Sequence, residues 1–195
     1  MGRAARFTRE DLLLAAAAEA AMGRPVTIQA LAAASGATIG SIYHRFDSRE
    51  EILGEAWLLA VRSFQSAFVP AVDAAANAEQ GVEAALTVPR WSRENPDLAS
   101  LLTLRRQEDF LDARTPAHLR REAAAINKFA MKVVGAFAAR SGRSDLQCRI
   151  ALIAMPYGAV RLFLPKQKPP AEIDTMIAAA YRAVMEASPA ASGNS

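Results

Sequence analysis

Residues 26–53, VTIQALAAASGATIGSIYHRFDSREEIL, carry the punctuation of two short helices joined by a tight turn. Thr27 can cap a first helix that Gly36 ends, and Thr38 can cap a second helix that runs to Phe46. Two short helices with a glycine in a turn of three or four residues fit a helix-turn-helix, whose second helix enters the DNA major groove. Helical hairpins of this kind also occur as plain packing units, so the spacing favours DNA binding but does not decide it.

The second helix divides into an inner and an outer face. Ala37, Ile42 and Phe46 supply apolar groups for packing. The residues left for the outside are Thr38, Ile39, Ser41, Tyr43 and His44.

Each outer residue offers a different contact to DNA. Tyr43 has a phenolic donor that can reach phosphate, although a tyrosine here can also pack against the first helix. His44 can donate to phosphate or to a base, or it can be merely solvated. Ser41 can donate or accept in the groove, whereas Ile39 can make only apolar contact, for which a thymine methyl group is the natural partner. Gly40 leaves room for close backbone approach.

This stretch resembles the DNA-binding domain of the tetracycline-repressor (TetR) family of transcriptional regulators, over roughly residues 8–55. The matching run is Thr27, Leu31-Ala32, Gly36-Ala37-Thr38, Gly40-Ser41-Ile42-Tyr43-His44, Phe46 and Ser48-Arg49-Glu50. Two positions depart from the family's pattern: Ala37 stands where Val is usual, and Ile39 stands where a polar or basic residue is common. The resemblance implies that Thr27 and Arg49 hold the DNA backbone, although Thr27 can also serve only as a helix cap. The DNA-binding candidates are therefore Thr27, Thr38, Ile39, Gly40, Ser41, Tyr43, His44 and Arg49.

Composition favours helices throughout the 195 residues. The chain is 52% hydrophobic and 22% charged, so it can bury a sizeable core. Alanine is abundant and few segments alternate with a period of two. We predict an all-α protein of about nine helices, with a three-helix DNA-binding domain at residues 1–50. Residues 51–187 then form a helical domain for ligand binding and dimerisation, and residues 188–195 form a disordered tail.

Charge and rare residues narrow the function class. The net charge is +3, and residues 1–49 hold six basic and four acidic side chains, the sign expected for phosphate contact. We expect residues 1–7 to be a basic arm that is frayed or touches DNA. One cysteine and two distant histidines give no disulfide and no metal cluster, and the sequence has no enzyme motif. We therefore expect no cofactor and no catalytic residues. Because neither a secretory signal nor a membrane-spanning apolar run is present, we expect a cytoplasmic protein without a membrane partner.

Helix signals continue to the C-terminus. Ser48 can cap a long amphipathic helix ending near Pro70, which would connect the two domains. Further helices are predicted at 82–94, 98–110, 117–140, 145–164 and 171–187. Pro156 should kink the helix that contains it.

Large apolar side chains in the second domain could line a ligand cavity or simply form core. These candidates are Trp57, Phe64, Trp91, Phe110, Phe129 and Met131. Polar contacts could come from Arg105, Arg106, Gln107 and Asn127, unless these face solvent.

The last two helices carry apolar residues spaced three and four apart, which could pair with a second copy or face the chain's own core. The candidate interface residues are Ile150, Ile153, Tyr157, Val160, Ile173, Ile177 and Val184. The resemblance implies a homodimeric repressor that an unknown small-molecule effector releases from a palindromic double-stranded DNA operator. The alternative is an all-helical small-molecule-binding protein or enzyme in which the helix-turn-helix is only a packing unit.

Overall fold

The computed structural model of the chain describes residues 7–187, and within that range it consists of helices and contains no strand. The prediction of an all-α fold is confirmed. The helices are α1 (Arg9–Ala21), α2 (Ile28–Ser35), α3 (Ile39–Tyr43), α4 (Arg49–Ala74), α5 (Gly81–Glu94), α6 (Pro96–Leu104), α7 (Ala117–Ser141), α8 in three consecutive segments (Asp145–Arg149, Ile150–Ala154 and Met155–Arg161) and α9 (Ile173–Glu186). A short 3-10 turn, Gln107–Asp109, follows α6. The predicted arm at residues 1–7 lies outside the described residues except for Phe7, and the predicted tail at 188–195 lies wholly outside them.

The predicted helix caps at Thr27, Thr38 and Ser48 are formed, and α1 has a cap as well. Thr8 and Asp11 make a reciprocal capping box, with the Asp11 N–H donating to the Thr8 hydroxyl at 3.1 Å and the Thr8 N–H donating to the Asp11 carboxylate at 2.7 Å. Thr27, Thr38 and Ser48 each accept a bond from the backbone N–H three residues on. These bonds satisfy donors that a helix start leaves unpaired, so each helix of the N-terminal domain begins at the residue its cap dictates.

The prediction that α4 ends near Pro70 is wrong, because the helix continues to Ala74. A proline inside a helix removes one backbone bond and costs about 3 kcal/mol. Val72, beyond the proline, is fully buried, which offsets about 1.5–3 kcal/mol of that cost. The guanidinium of Arg140 on α7 donates to the Val72 carbonyl and, at 2.7 Å, to that of Ala75. Tertiary contacts therefore set the end of α4.

The predicted sixth helix is also too long, since α6 ends at Leu104 rather than at Phe110. Arg105 is extended, with φ −112° and ψ 157°. Its Nε donates to the carbonyl of Ala20, at the end of α1, at 2.7 Å. The early end of α6 thereby ties the second half of the chain to the first.

A π-helical segment stands where a kink was predicted in α8. In Ile150–Ala154 the backbone widens, and the N–H of Met155 donates to the carbonyl of Ile150, five residues back. Pro156 follows directly, so the wider turn adjoins the residue that cannot donate. The helix ends at Arg161, three residues before the predicted end.

Gly81 marks the tightest approach between α5 and the helices packed on it. A Cβ at this position would overlap the Tyr181 hydroxyl and lie 2.5 Å from Cζ of Phe137. Both aromatic side chains are fully buried, and the Tyr181 hydroxyl donates to the Ala78 carbonyl at 2.7 Å.

We expect Gly81→Ala to lower the free energy of unfolding by about 1–3 kcal/mol, because neither aromatic ring can move aside without breaking its packing. The matched control is Gly135→Ala in α7, where the nearest atom would lie at 3.7 Å. That change should raise the free energy of unfolding by up to about 1 kcal/mol. Urea unfolding at one fixed protein concentration measures both, and equal effects would contradict the packing assignment.

Candidate nucleic-acid interface and internal cavity

α3 is a short helix with an exposed outer face and a buried, apolar inner face. The helix ends at Tyr43, but backbone bonds of the helical type continue to Phe46, whose N–H donates to the Ile42 carbonyl at 3.0 Å. Ala37, Ile42 and Phe46 are buried, as predicted. Gly36 ends α2 with a φ of 70°, a conformation that glycine adopts without strain. The turn at Gly36 and the buried apolar residues thus fix the direction of α3.

The outer face of α3 matches the predicted set. Tyr43 is 56% exposed and Ile39 is 45% exposed. Thr38, Gly40 and His44 are exposed as well. Together they form a surface free of the protein's own packing, so all five are available to a duplex.

Ser41 differs from the other outer residues. It is half-buried, and its hydroxyl donates to the Thr38 carbonyl at 2.8 Å. Because its one proton is engaged in the helix, the hydroxyl offers the groove an acceptor.

Arg49 is held by the protein itself. Its Nε donates to the carbonyl of Val26, just before α2, at 2.5 Å, and its Nη1 lies 3.5 Å from the Glu50 carboxylate. The side chain is half-exposed, so one edge of the guanidinium still faces outward. Arg49 therefore joins the start of α4 to the start of α2, and Thr27 beside it is exposed and caps α2.

Two further arginines organise this region, and sequence reasoning gave them no role. Arg9 on α1 donates to the carboxylate of Glu55 at 2.9 Å and lies 3.9 Å above the ring of Phe46. The hydrogen bond to Glu55 raises the pKa of Arg9. Arg45 donates to the Ser41 carbonyl at 2.9 Å, and its guanidinium lies 4.9 Å from the ring of Phe7. Glu55 and Phe46 lie more than 30 residues from Arg9, and Phe7 lies equally far from Arg45, so no local sequence pattern indicates these contacts.

The basic excess of the first 49 residues is therefore partly consumed inside the protein. Besides Arg9, Arg24 is paired with Glu19 through two bonds of 2.7 and 2.8 Å. Positive charge available to phosphate in this region is smaller than the residue count indicates.

A cavity of about 290 Å³ lies between α4, α7 and α8, with one wall residue from α6. Trp57, Phe64 and Met131 line it, in agreement with the predicted set. Trp91 and Phe110, which were also predicted, do not line the cavity but pack against residues that do. Their ring centroids lie 5.2 Å from those of Phe64 and Trp57, respectively.

Phe129 lies elsewhere, 57% exposed, in a separate surface groove between α4 and α7. Sequence reasoning missed Gln65 as a wall residue and placed Ile153 and Tyr157 in a dimer interface, whereas all three line the cavity. Spacing could not separate these roles because the apolar face of α8 is broad enough to serve both.

The other interface candidates are mostly inside the chain. Val160, Ile173 and Ile177 are buried in its own core, so they are not available to a second copy. Ile150 and Val184 are half-buried. The three-four stripes follow the face of each helix that packs inward, which is the alternative that the sequence left open.

Other apolar side chains of α8 and α9 are exposed. They are Leu146 on α8, Met176 on α9 and, just beyond α8, Leu162, which is 82% exposed. Gly158 on α8 and Ala183 on α9 are exposed as well.

Within residues 7–187 no group of three or more His, Cys, Asp or Glu side chains is arranged to hold a metal ion. In the same range no helix has the length and apolar character needed to cross a membrane.

Comparisons with known proteins agree with this geometry. Residues 12–56 match the family model described as bacterial regulatory proteins of the tetR family. Residues 12–56 therefore form a DNA-binding segment of the TetR type. The matched segment runs from α1 through α3 into α4 and stops one residue before Trp57, the first cavity residue of α4.

Solved TetR structures share the whole fold. A TetR family transcriptional regulator, PfmR, from Thermus thermophilus superimposes with a TM-score of 0.72 at 21% identity, covering 96% of this chain and 100% of the other. A tetR family transcription regulator from Shewanella sp. PV-4 gives a TM-score of 0.62 at 18% identity, covering 91% and 93%. No curated protein sequence matches this chain. The match of residues 12–56 indicates DNA binding of the kind used in transcriptional regulation.

For this TetR-family surface we expect Tyr43→Phe to weaken DNA binding about three- to tenfold, equally on specific and unrelated duplexes. The exposed hydroxyl would contact phosphate, a contact worth about 1 kcal/mol that carries no sequence information. A neutral hydroxyl releases no counterion, so the slope of affinity against salt should not change.

The matched control is Ile39→Ala on the same helix face. It should lower binding to the specific duplex while leaving the unrelated duplex unchanged, because an apolar contact to a base edge reads sequence. Fluorescence anisotropy at two salt concentrations measures both variants. A Tyr43→Phe effect confined to the specific duplex would show that Tyr43 contacts a base instead.

Proposed function

We propose that this protein is a homodimeric repressor that leaves a palindromic DNA operator when a small molecule fills the cavity. The observation that carries the proposal is the position of α4. Its first residue, Arg49, holds the start of α2 through the Val26 carbonyl, and two turns later Trp57 lines the cavity. One continuous helix thus belongs to both sites.

A shared helix is sufficient for a switch. An effector shifts an equilibrium between two arrangements only by the difference in its affinity for them. Filling the cavity favours whichever tilt of α4 leaves room for the ligand, and the helix start moves with it. In this proposal residues 1–50 bind DNA, and residues 51–187 bind the effector and a second copy.

Arg105 supplies a second link between the two parts. It follows α6, whose residue Leu102 lines the cavity, and it donates to the Ala20 carbonyl at the end of α1. Any Cβ at Gly23, where φ is 76°, would meet its guanidinium at 2.6 Å. The side chain is therefore seated closely on the α1–α2 turn, and motion at the cavity can reach α1 as well as α4.

The small size of the surface that α3 offers to DNA supports a dimer. α3 is only five residues long, so a single copy touches few base pairs. Two copies reading half-sites one helical turn apart would double the contact and require a palindromic operator. The exposed apolar side chains Leu146, Leu162 and Met176 of α8, α9 and the segment between them are available to a second copy, which would bury them.

The test combines a gel shift on DNA upstream of the protein's own gene with sedimentation at micromolar concentration. We expect a specific complex that weakens between two salt concentrations and a protein that sediments as a dimer. Binding equal to that of unrelated DNA would favour the alternative of a helical small-molecule-binding protein. A monomer would overturn the dimeric repressor, whereas a dimer disrupted by Met176→Glu would place the interface on α9.

Arg105→Ala should loosen the last turn of α1. A charged hydrogen bond contributes about 1.5–3 kcal/mol when shielded, and less here because the side chain is half-exposed. We therefore expect amide hydrogen exchange at residues 20–24 to accelerate about tenfold, measured by mass spectrometry.

The neighbouring Arg106→Ala is the control, because Arg106 is exposed and its carboxylate neighbour Glu108 is 3.6 Å away. Exchange in α1 should be unchanged in that variant. Equal acceleration in both variants, or none in Arg105→Ala, would remove the second link from the proposed switch.

A further inference from the structure

We propose that the effector is an uncharged, largely aromatic molecule bearing an oxygen that accepts a hydrogen bond, with the indole N–H of Trp57 as its donor. The inference rests on the proposed function and names the chemical class of ligand for its cavity. Three independent features of the cavity wall support it.

The first feature is the aromatic content of the wall. Phe64 is surrounded by rings, stacked on Phe68 at 5.1 Å and edge-on to Tyr157 at 5.7 Å with an interplanar angle of 84°. Trp57, Phe64, Phe68 and Tyr157 all line the cavity. An apolar cavity of about 150 Å³ holds one benzene molecule, so about 290 Å³ suits a ligand of roughly two fused rings. Aromatic faces and edges favour a flat aromatic ligand.

The second feature is charge. Among the described residues that line the cavity, the polar side chains are the neutral Gln65, Asn127, Tyr157 and Trp57. Of the cations that the sequence offered for ligand contact, Arg105 lies at the α1 junction and Arg106 is exposed. A charged ligand would lose its hydration without gaining an ionic partner, a cost of several kcal/mol or more. The wall therefore selects an uncharged molecule.

The third feature is an unsatisfied donor. The chain has two tryptophans. The indole N–H of Trp91 donates to the Ser63 hydroxyl at 3.1 Å, whereas that of Trp57 is shielded from solvent and has no partner within residues 7–187. Trp57 is only 6% exposed, and a buried donor without a partner is unusual because it loses its hydrogen bonds to water and gains none in return. The indole nitrogen itself has less than 1 Å² of accessible area, so a ligand oxygen in the cavity that Trp57 lines must draw this edge of the ring to the cavity surface in order to satisfy it.

The remaining polar groups are consistent with an acceptor-bearing ligand. Gln65 and Asn127 face one another at 3.5 Å, and Asn127 donates to Gln107 at 3.3 Å, so these amides are engaged with each other. Burial raises the pKa of Tyr157, which keeps its hydroxyl protonated as a second donor. The Trp57 N–H is thus the buried donor of the wall that has no acceptor among residues 7–187, and a ligand oxygen can supply one.

Three probes of matched shape test the class: 2-acetylnaphthalene, which has one carbonyl acceptor; 2-isopropylnaphthalene, in which a methyl group replaces that oxygen; and 2-naphthoate, which is anionic. Calorimetry on the full chain should show 2-acetylnaphthalene binding about tenfold more tightly than 2-isopropylnaphthalene, since a buried donor left unpaired costs that much. We expect 2-naphthoate to bind at least tenfold more weakly than 2-acetylnaphthalene. Equal affinity of the two neutral probes, no binding by either, or tighter binding of the anion would each overturn the inference.

The donor itself can be followed by nitrogen–proton correlation spectra, in which the two indole N–H groups give separate signals, assigned with Trp91→Phe. The Trp57 signal should move downfield with 2-acetylnaphthalene and not with 2-isopropylnaphthalene. In Trp57→Phe the tenfold preference between the neutral probes should vanish while 2-isopropylnaphthalene still binds. A preference that survives in Trp57→Phe would assign the acceptor contact to another donor and overturn the role of Trp57.

Gel shifts with the same probes separate this inference from the proposed function. Release of DNA by 2-naphthoate alone would leave the effector switch intact and overturn the ligand class. Binding of 2-acetylnaphthalene through Trp57 without any change in DNA affinity would confirm the cavity chemistry and count against the switch.

Discussion

The packing of α4 is the constraint on which the rest of this structure depends. The helix contacts α1, α5, α6 and α7, so it is the axis around which both halves of the chain assemble. Ile52, Ala56 and Ala60 are completely buried, and small alanines let neighbouring helices approach closely. The middle of α4 is enclosed, and Ile52 buries the end of its first turn. In the proposed switch, this packing would carry a change at Trp57 to Arg49 instead of letting the helix absorb it by bending.

Arginine side chains hold the helix ends that this packing leaves exposed. The last carbonyls of a helix lack partners within it and carry a partial negative charge. Arg140 covers those at the end of α4, Arg105 covers one at the end of α1, and Arg49 holds the Val26 carbonyl before α2. Several of the chain's cations are thus structural, so the positive charge available to DNA is small for a chain whose net charge is only +3. Affinity for DNA must then rest on a few well-placed contacts more than on a broad positive field.

Helix starts and turns that depend on neighbouring residues were predictable from the sequence. Helix ends and packing partners that depend on distant contacts were not. The caps at Thr27 and Thr38 and the glycine turn between them depend on residues within a few positions, so the helix-turn-helix was predictable in detail. The end of α4 depends on Arg140, some 70 residues away, and could not be read from Pro70. Stripe spacing showed that Ile173 has an apolar side of its helix but could not say whether that side meets its own core or a second copy. The two tryptophans look alike in sequence, and only the position of Ser63 beside Trp91 distinguishes them.

In the proposed switch, α4 and the segment after α6 would connect the cavity to the DNA-binding helices. Trp57 lies on α4 and lines the cavity, and its ring stacks on Phe110 at 5.2 Å. Phe110 follows the short turn Gln107–Asp109, which begins two residues after Arg105. In the proposed switch, a ligand that draws the Trp57 indole toward its own oxygen would therefore act on both links at once, through α4 and through the segment after α6. With a single attachment the helices α1–α3 could rotate and lose the signal, whereas two attachments on either side of the α1–α2 turn, at Ala20 and Val26, would define an orientation. A ligand without an acceptor would fill the same space but exert no pull on the indole, so specificity and switching would reside in one hydrogen bond.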